Sequence, residues 1–177
     1  MRKLLISGAI MLSLAPGVAS AAQPPCLTPN EFTSLATYSL PSIITGTSQR
    51  CAATLPQDAF LKRNGAELAT RYAARKPAAW PGAKAAFIKL GAGTGNADAN
   101  DLLRTLPDPT LQQLVDGMVQ GLVGQRLPAS RCGSVDRLVS LLAPLPPENT
   151  AELIGLAVGL GARAGETKVG NIALCAA

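Results

Sequence analysis

The chain has 177 residues, a formal net charge of +5 and no histidine, and only 3% of its residues are aromatic. The absence of histidine excludes Ser-His-Asp and Cys-His catalytic sites, histidine-ligated zinc and haem attachment through Cys-x-x-Cys-His. β-Branched residues are also scarce and apolar residues do not alternate with polar ones, which argues against a sheet. The composition therefore predicts an all-α protein with a narrow range of chemistry.

The first 21 residues have the three parts of an export signal. Met1-Arg2-Lys3 is positively charged, an apolar run extends from Leu4 to Leu14, and Ala19-Ser20-Ala21 is a small-residue cleavage site. We expect cleavage after Ala21, which leaves one mature domain, residues 22–177, and lowers the net charge to +3. Because that domain has no second apolar run of membrane length, we expect no transmembrane segment and a periplasmic or secreted location.

Four cysteines remain in the mature chain, namely Cys26, Cys51, Cys132 and Cys175. An even number of cysteines in an exported protein predicts two disulfides. Three pairings are possible, and we expect Cys26–Cys51 with Cys132–Cys175 because these bonds close the shorter loops. A zinc site is disfavoured, since there is no Cys-x-x-Cys pair.

Helix signals begin at Thr28-Pro29-Asn30-Glu31, a capping box with proline in the first helical position. Pro41 is expected to kink or end this first helix. A second helix is predicted over residues 57–76, where Pro77 ends it, and a third begins near Trp80-Pro81.

Three further helices are predicted from proline and cap signals, over 98–106, from Asp108-Pro109, and after Ser134. The last helix, residues 151–162, is apolar on nearly all sides, so we expect it at the centre of the fold. The glycines at 117 and 121, and at 155 and 159, predict where two helices approach closely. The sequence thus predicts a compact all-α bundle of six or seven helices.

Three segments resemble small exported proteins of Gram-negative bacteria that have no assigned activity. They are Cys-Leu-Thr-Pro-x-Glu at Cys26 to Glu31, Ala79-Trp80-Pro81, and Val-Asp-Arg-Leu-Val-Ser-Leu-Leu-Ala-Pro-Leu-Pro from Val135 to Pro146. The resemblance covers most of the mature chain. It implies export and a single domain, and it identifies no catalytic residues.

Two short motifs resemble ligand sites and fail in detail. Gly91-Ala-Gly-Thr-Gly-Asn96 lacks the Gly-Lys-Ser/Thr ending of a phosphate loop, and we interpret it as a hinge. Asn96-x-Asp98-x-Asn100-Asp101 begins like a calcium loop, but Asp101 stands where glycine is needed and Pro107 where the bidentate glutamate belongs. We expect Asp98 or Asn100 to cap a helix instead, and we expect no metal and no cofactor.

Positive charge is concentrated between residues 62 and 89, where seven basic residues accompany one acid, Glu67. The basic residues are Lys62, Arg63, Arg71, Arg75, Lys76, Lys84 and Lys89. Tyr72, Trp80 and Phe87 lie in the same segment. Basic side chains beside aromatic ones are suited to anionic lipid headgroups, lipopolysaccharide or another acidic envelope polymer, although a solvated face over an aromatic core has the same pattern.

The sequence therefore predicts a non-catalytic binding or scaffolding role in the cell envelope, through the basic segment or through a protein partner. Nucleic acid is not an expected partner of an exported protein, and no catalytic residues are predicted. The enzymatic alternative is a carboxylate-dependent envelope hydrolase, which requires two acids facing each other across a cleft. A structural role is a third possibility, and its marks are an exposed apolar patch and a dimer in solution.

Overall fold

The computed structural model describes residues 26–92, 96–163 and 174–175; the predicted signal peptide, residues 1–21, lies outside these ranges. The described residues form seven α-helices and one 3-10 turn, and they contain no strand beyond a single bridge between Leu27 and Leu174. The predicted all-α bundle is thus confirmed. The α-helices are α1 (Pro29–Cys51), α2 (Phe60–Ala73), α3 (Lys76–Ala92), α4 (Ala97–Thr105), α5 (Asp108–Arg126), α6 (Cys132–Leu142) and α7 (Pro147–Arg163).

The helix at the centre is α1, which packs against α2, α3, α5 and α7. Our expectation that residues 151–162 occupy the centre was wrong, because Leu153 and Leu156 of α7 are 47% and 64% exposed. Small side chains explain the position of α1. Thr37, Ser39, Ser42 and Thr47 are all buried on this helix, and they leave room for neighbours on several sides.

Pro41 lies in the interior of α1 and does not end it, because the helix continues to Cys51. A proline in a helix interior is unfavourable by about 3 kcal/mol. Contacts with four other helices offset that penalty here, since tertiary packing supplies most helical stability in proteins. The predicted capping box at the start of α1 is present, with the Glu31 N–H donating to Thr28 and the Thr28 N–H donating to Glu31.

Glycines mark several close helix contacts, but not all of the predicted ones. A methyl group added at Gly155 of α7 would lie 3.2 Å from the Phe32 ring, as expected for a close contact with α1. Gly46 of α1 lies against the backbone of Gln120, at 3.1 Å from the same hypothetical methyl group. At Gly117 and Gly121 no described atom lies within 4 Å of an added methyl group, so no described helix makes the predicted contact there. The surroundings of Gly159 lie outside the described residues.

Two disulfides join distant parts of the chain, and their pairing corrects our expectation. Cys26 is bonded to Cys175, and Cys51 is bonded to Cys132, with Cα–Cα distances of 4.9 and 5.5 Å. The shorter loops are not closed because α1 is a continuous helix of 23 residues. At a rise of about 1.5 Å per residue it separates Cys26 from Cys51 by more than 30 Å. No described helix has both the length and the apolar character to span a bilayer.

Candidate functional site

The predicted basic segment lies on α2 and α3, and most of its cations have partners within the bundle. Four of the seven form ion pairs with carboxylates from other helices at N–O distances of 2.5 to 2.7 Å. These pairs are Arg75–Glu148, Lys76–Asp116, Lys84–Asp108 and Lys89–Glu31. A fifth cation, Arg71, donates a hydrogen bond to the backbone carbonyl of Ala143. The segment is therefore much less positive in the fold than in the sequence.

The Lys76 pair is the least exposed of the four and joins three helices. The Asp116 carboxylate on α5 accepts hydrogen bonds from Lys76 on α3 and from the Ser42 hydroxyl on α1, the latter at 2.8 Å. The Lys76 ammonium also lies 4.2 Å from the centre of the Tyr38 ring. Burial, with a smaller contribution from the charge of Asp116, raises the pKa of Tyr38 above its ordinary range. This cluster is packed between helices, and we interpret it as structural.

The other three pairs lower the pKa of their carboxyl groups. The hydrogen bond from Lys89 is the largest influence on Glu31, and the hydrogen bond from Lys84 is the largest on Asp108. Desolvation works to raise the pKa of Glu148, but the interactions with Arg75 and the backbone outweigh it. A general acid in a hydrolase needs the opposite, a raised pKa.

The two remaining cations of the segment, Lys62 and Arg63, lie at one end of the bundle. They occupy the first turn of α2, are exposed, and have no carboxylate partner among the described residues. The Asp136 carboxylate of α6 accepts hydrogen bonds from the N–H groups of Phe60 and Leu61, at 3.2 and 2.7 Å. This contact brings the start of α2 beside α6.

Other contacts bring more arginines to the same end. The Cys51–Cys132 disulfide joins the residues that follow Arg50 and Arg131, and the Arg50 guanidinium donates to the carbonyl of Leu127, directly after Arg126. We call this region the basic end, and define it by Arg50, Lys62, Arg63, Arg126, Arg131 and Arg137. None of these six is in an ion pair within the described ranges, and all are exposed.

Few carboxylates oppose this charge. Asp58 and Asp136 are the acids in the segments that form the basic end, and Asp136 is occupied by the backbone of α2. The distribution of charge along the sequence indicates Lys62 and Arg63 but not the four arginines, because three helices and a turn contribute them. The signal that would have revealed them is the pair Arg50-Cys51 and Arg131-Cys132, which become neighbours once the second disulfide is known.

A shallow cavity of about 250 Å³ lies between α2 and α6 and bears on the hydrolase alternative. Its lining residues are Phe60, Asn64, Glu67, Leu68, Arg71, Ser140, Ala143 and Pro144. Glu67 is the one carboxylate among them, whereas glycoside hydrolysis uses two.

The predicted cap of α4 differs in detail, because the Asn96 side chain, and not Asp98 or Asn100, accepts a hydrogen bond from the Ala99 N–H.

Comparison of the chain with models of protein families, with curated proteins and with solved structures found no match. The basic end is therefore the candidate site on the evidence of its geometry and charge alone.

Proposed function

We propose that the mature protein is an exported, non-catalytic binding domain, and that its basic end binds phosphate-bearing lipid headgroups of the cell envelope. The observation that supports this proposal is the separation of two kinds of cation. Those of α3 are neutralised by carboxylates at 2.5 to 2.7 Å, whereas the six of the basic end have no such partner among the described residues.

This separation matters because an external anion responds to net local charge. A paired lysine adds little to the field beyond a Debye length of about 10 Å at 0.1 M salt. An unpaired basic residue close to an anionic membrane contributes about 1 kcal/mol of attraction. Six such residues at one end give the molecule a preferred orientation on an anionic surface, and no apolar insertion is required.

The experiment is cosedimentation of the mature, oxidised protein with vesicles. We expect binding to vesicles that contain phosphatidylglycerol, little binding to pure phosphatidylcholine, and a loss of binding as salt rises from 50 to 500 mM, about a threefold change in Debye length. A parallel arm with purified lipopolysaccharide distinguishes the two sources of lipid phosphate.

Matched charge reversals locate the contact. Arg63→Glu and Arg137→Glu lie in the basic end, and we expect each to weaken binding severalfold. Arg104→Glu is the control, because Arg104 is an exposed arginine of α4 that also has no ion pair among the described residues. Equal loss of binding in all three variants, or binding that salt does not affect, would refute the proposal.

A further inference from the structure

One face of α5 has no charged residue, and all of its residues are exposed in the described part of the chain. Between Pro109 and Arg126 every exposed residue is uncharged. We call this the outer face of α5, and it consists of Thr110, Gln113, Leu114, Gly117, Met118, Gly121, Leu122, Gly124 and Gln125. Leu114, Met118 and Leu122 are 40%, 46% and 46% exposed, and their spacing of four residues places them in one line. A surface helix ordinarily has polar or charged residues on this side.

The glycines of this face differ from most of the helical glycines elsewhere in the chain. Gly46, Gly65, Gly82 and Gly155 each have atoms of another helix within 3.2 Å of a hypothetical methyl group. Gly117, Gly121 and Gly124 have none within 4 Å among the described residues; Gly133, in the first turn of α6, has none either. Glycine destabilises a helix interior, and the described fold supplies no reason for three of them on α5.

We propose that the outer face of α5 pairs with the same face of a second copy of this chain, in an antiparallel arrangement. The apolar line is symmetric about Met118, since Leu114 and Leu122 each lie four residues from it. A two-fold axis beside Met118 places Leu114 of one copy opposite Leu122 of the other and the two Met118 side chains together. An isologous contact of this kind requires a surface that is complementary to itself.

Charge favours a second copy and selects the orientation. Two copies of a protein with net positive charge ordinarily repel each other. Because the outer face of α5 is uncharged, two copies can contact each other there without that repulsion. Arg126 ends α5 and is in no ion pair among the described residues, so antiparallel pairing keeps the two Arg126 side chains apart and opposes the two helix dipoles. Parallel pairing would place Arg126 against Arg126.

The size of the face sets the expected strength. Helix α5 has 19 residues, or about 28 Å at 1.5 Å per residue. One helix pair of that length buries less than the ~800 Å² per partner of a standard stable interface. We therefore expect a weak dimer that exchanges rapidly with monomer.

The test is sedimentation equilibrium of the mature, oxidised protein over a wide range of concentrations. We expect a monomer–dimer equilibrium that high salt leaves unchanged or strengthens, in contrast to binding of an anionic membrane. Met118→Glu places two carboxylates side by side at the axis, and we expect at least tenfold weaker association. The matched control is Leu141→Glu on α6, where the native leucine is 65% exposed, and this variant keeps the dimer.

A second variant gives a readout that does not depend on affinity. Met118→Cys adds one thiol at the axis, and air oxidation is expected to form a disulfide-linked dimer much faster than it does for Leu141→Cys. Thermal unfolding of each variant verifies that the fold is intact. A chain that stays monomeric at every concentration, or a dimer that survives Met118→Glu, overturns the proposal, because another segment or another protein then covers the face.

Discussion

Asp136 of α6 caps α2 from outside that helix, with its carboxylate accepting a hydrogen bond from the Leu61 N–H at 2.7 Å. The residue before α2 is Ala59, whose side chain has no capping atom. The first turn of a helix has N–H groups without intrahelical partners, and a carboxylate there also meets the positive end of the helix dipole. Asp136 thus joins α6 to α2 four residues after the Cys51–Cys132 disulfide, and it fixes the position of Lys62 and Arg63.

Removal of this cap is expected to reduce stability while leaving the basic end positive. We predict that Asp136→Ala lowers the free energy of unfolding by about 0.5 to 2 kcal/mol, the range measured for lost N-caps. Asp58→Ala is the control, since Asp58 is an exposed acid of the preceding connection and we expect a change below about 0.5 kcal/mol. Urea unfolding followed by circular dichroism measures both.

The same pair of variants separates stability from binding. Each removes one negative charge near the basic end, so both are expected to bind anionic vesicles at least as well as the parent chain. Weaker vesicle binding by Asp136→Ala at a temperature where it is folded would show that the position of Lys62 and Arg63, which this cap fixes, contributes to the contact.

The disulfide pairing is open to a direct chemical test. Trypsin cleaves after Arg50, Lys62, Arg131, Arg137 and Lys168, which separates all four cysteines. Without reduction, we predict linked peptides 51–62 with 132–137, and 22–50 with 169–177. A mass spectrum with residues 22–50 linked to 51–62 would contradict the pairing described here. In the second linked pair, the peptide that contains Cys26 begins at residue 22 only if the signal peptide is removed where we expect.

Local signals in the sequence predicted the helices well and their arrangement poorly. The capping box at Thr28 and the all-α class follow from neighbouring residues and composition, which are visible in the sequence. The central position of α1 is not visible in the sequence, because burial of Ser and Thr on that helix depends on which other helices surround it. Apolar content alone pointed to α7, where Leu156 is in fact mostly exposed.

The candidate site was also predicted only in part, because its local charge is visible in the sequence and the pairing of its residues is not. A count of charges along the chain selected residues 62–89, but the carboxylates that neutralise Lys76 and Lys89 come from residues 116 and 31. The charges that remain free were brought together by a disulfide between Cys51 and Cys132, and a preference for short loops gave the wrong partner. Pairing between distant segments is a property of the tertiary fold, so composition cannot supply it.

The lowered pKa of Glu31 predicts an acid-sensitive contact between α1 and α3. A carboxyl group with a lower pKa in the folded state stabilises the fold above its unfolded pKa, near 4.5, and loses that contribution as pH falls through the folded value. We predict that Glu31→Gln, which keeps the capping-box hydrogen bond but loses the charge, shows a smaller fall in melting temperature than the parent chain as pH is lowered from 7 through the unfolded pKa toward 3.

The control for this experiment is Glu152→Gln, an exposed carboxylate of α7 with no ion pair in the described ranges. Its pH dependence is expected to match that of the parent chain. At pH 7 the Glu31 variant should be less stable by no more than about 1 kcal/mol, since the ion pair with Lys89 is partly exposed. Identical acid sensitivity in the Glu31 variant and the parent would show that the Lys89 contact does not persist in solution.

Two glycine-to-alanine substitutions are predicted to change stability in opposite directions. At Gly121 of α5 a methyl group meets no described atom within 4 Å, so Gly121→Ala gains only helix propensity. We expect the free energy of unfolding of the monomer to rise by about 0.5 to 1 kcal/mol. At Gly46 of α1 the same group lies 3.1 Å from the Gln120 Cα and 3.2 Å from its carbonyl oxygen. Backbone atoms cannot turn aside as a flexible side chain does, so Gly46→Ala is expected to destabilise the fold by about 1 to 3 kcal/mol.

Chemical unfolding at low protein concentration, where the monomer dominates, measures both effects on stability. Sedimentation then measures how Gly121→Ala changes dimerisation. If two copies of α5 pair through their outer faces, the methyl group that stabilises the Gly121→Ala monomer also obstructs the approach of the second helix and weakens the dimer. Gly46→Ala presses on the Gln120 backbone of the same helix α5, so this variant tests monomer stability and is not used as a control for association. A Gly121→Ala variant that is less stable as a monomer would mean that a segment outside the described residues already packs against this glycine, because helix propensity alone acts in the other direction.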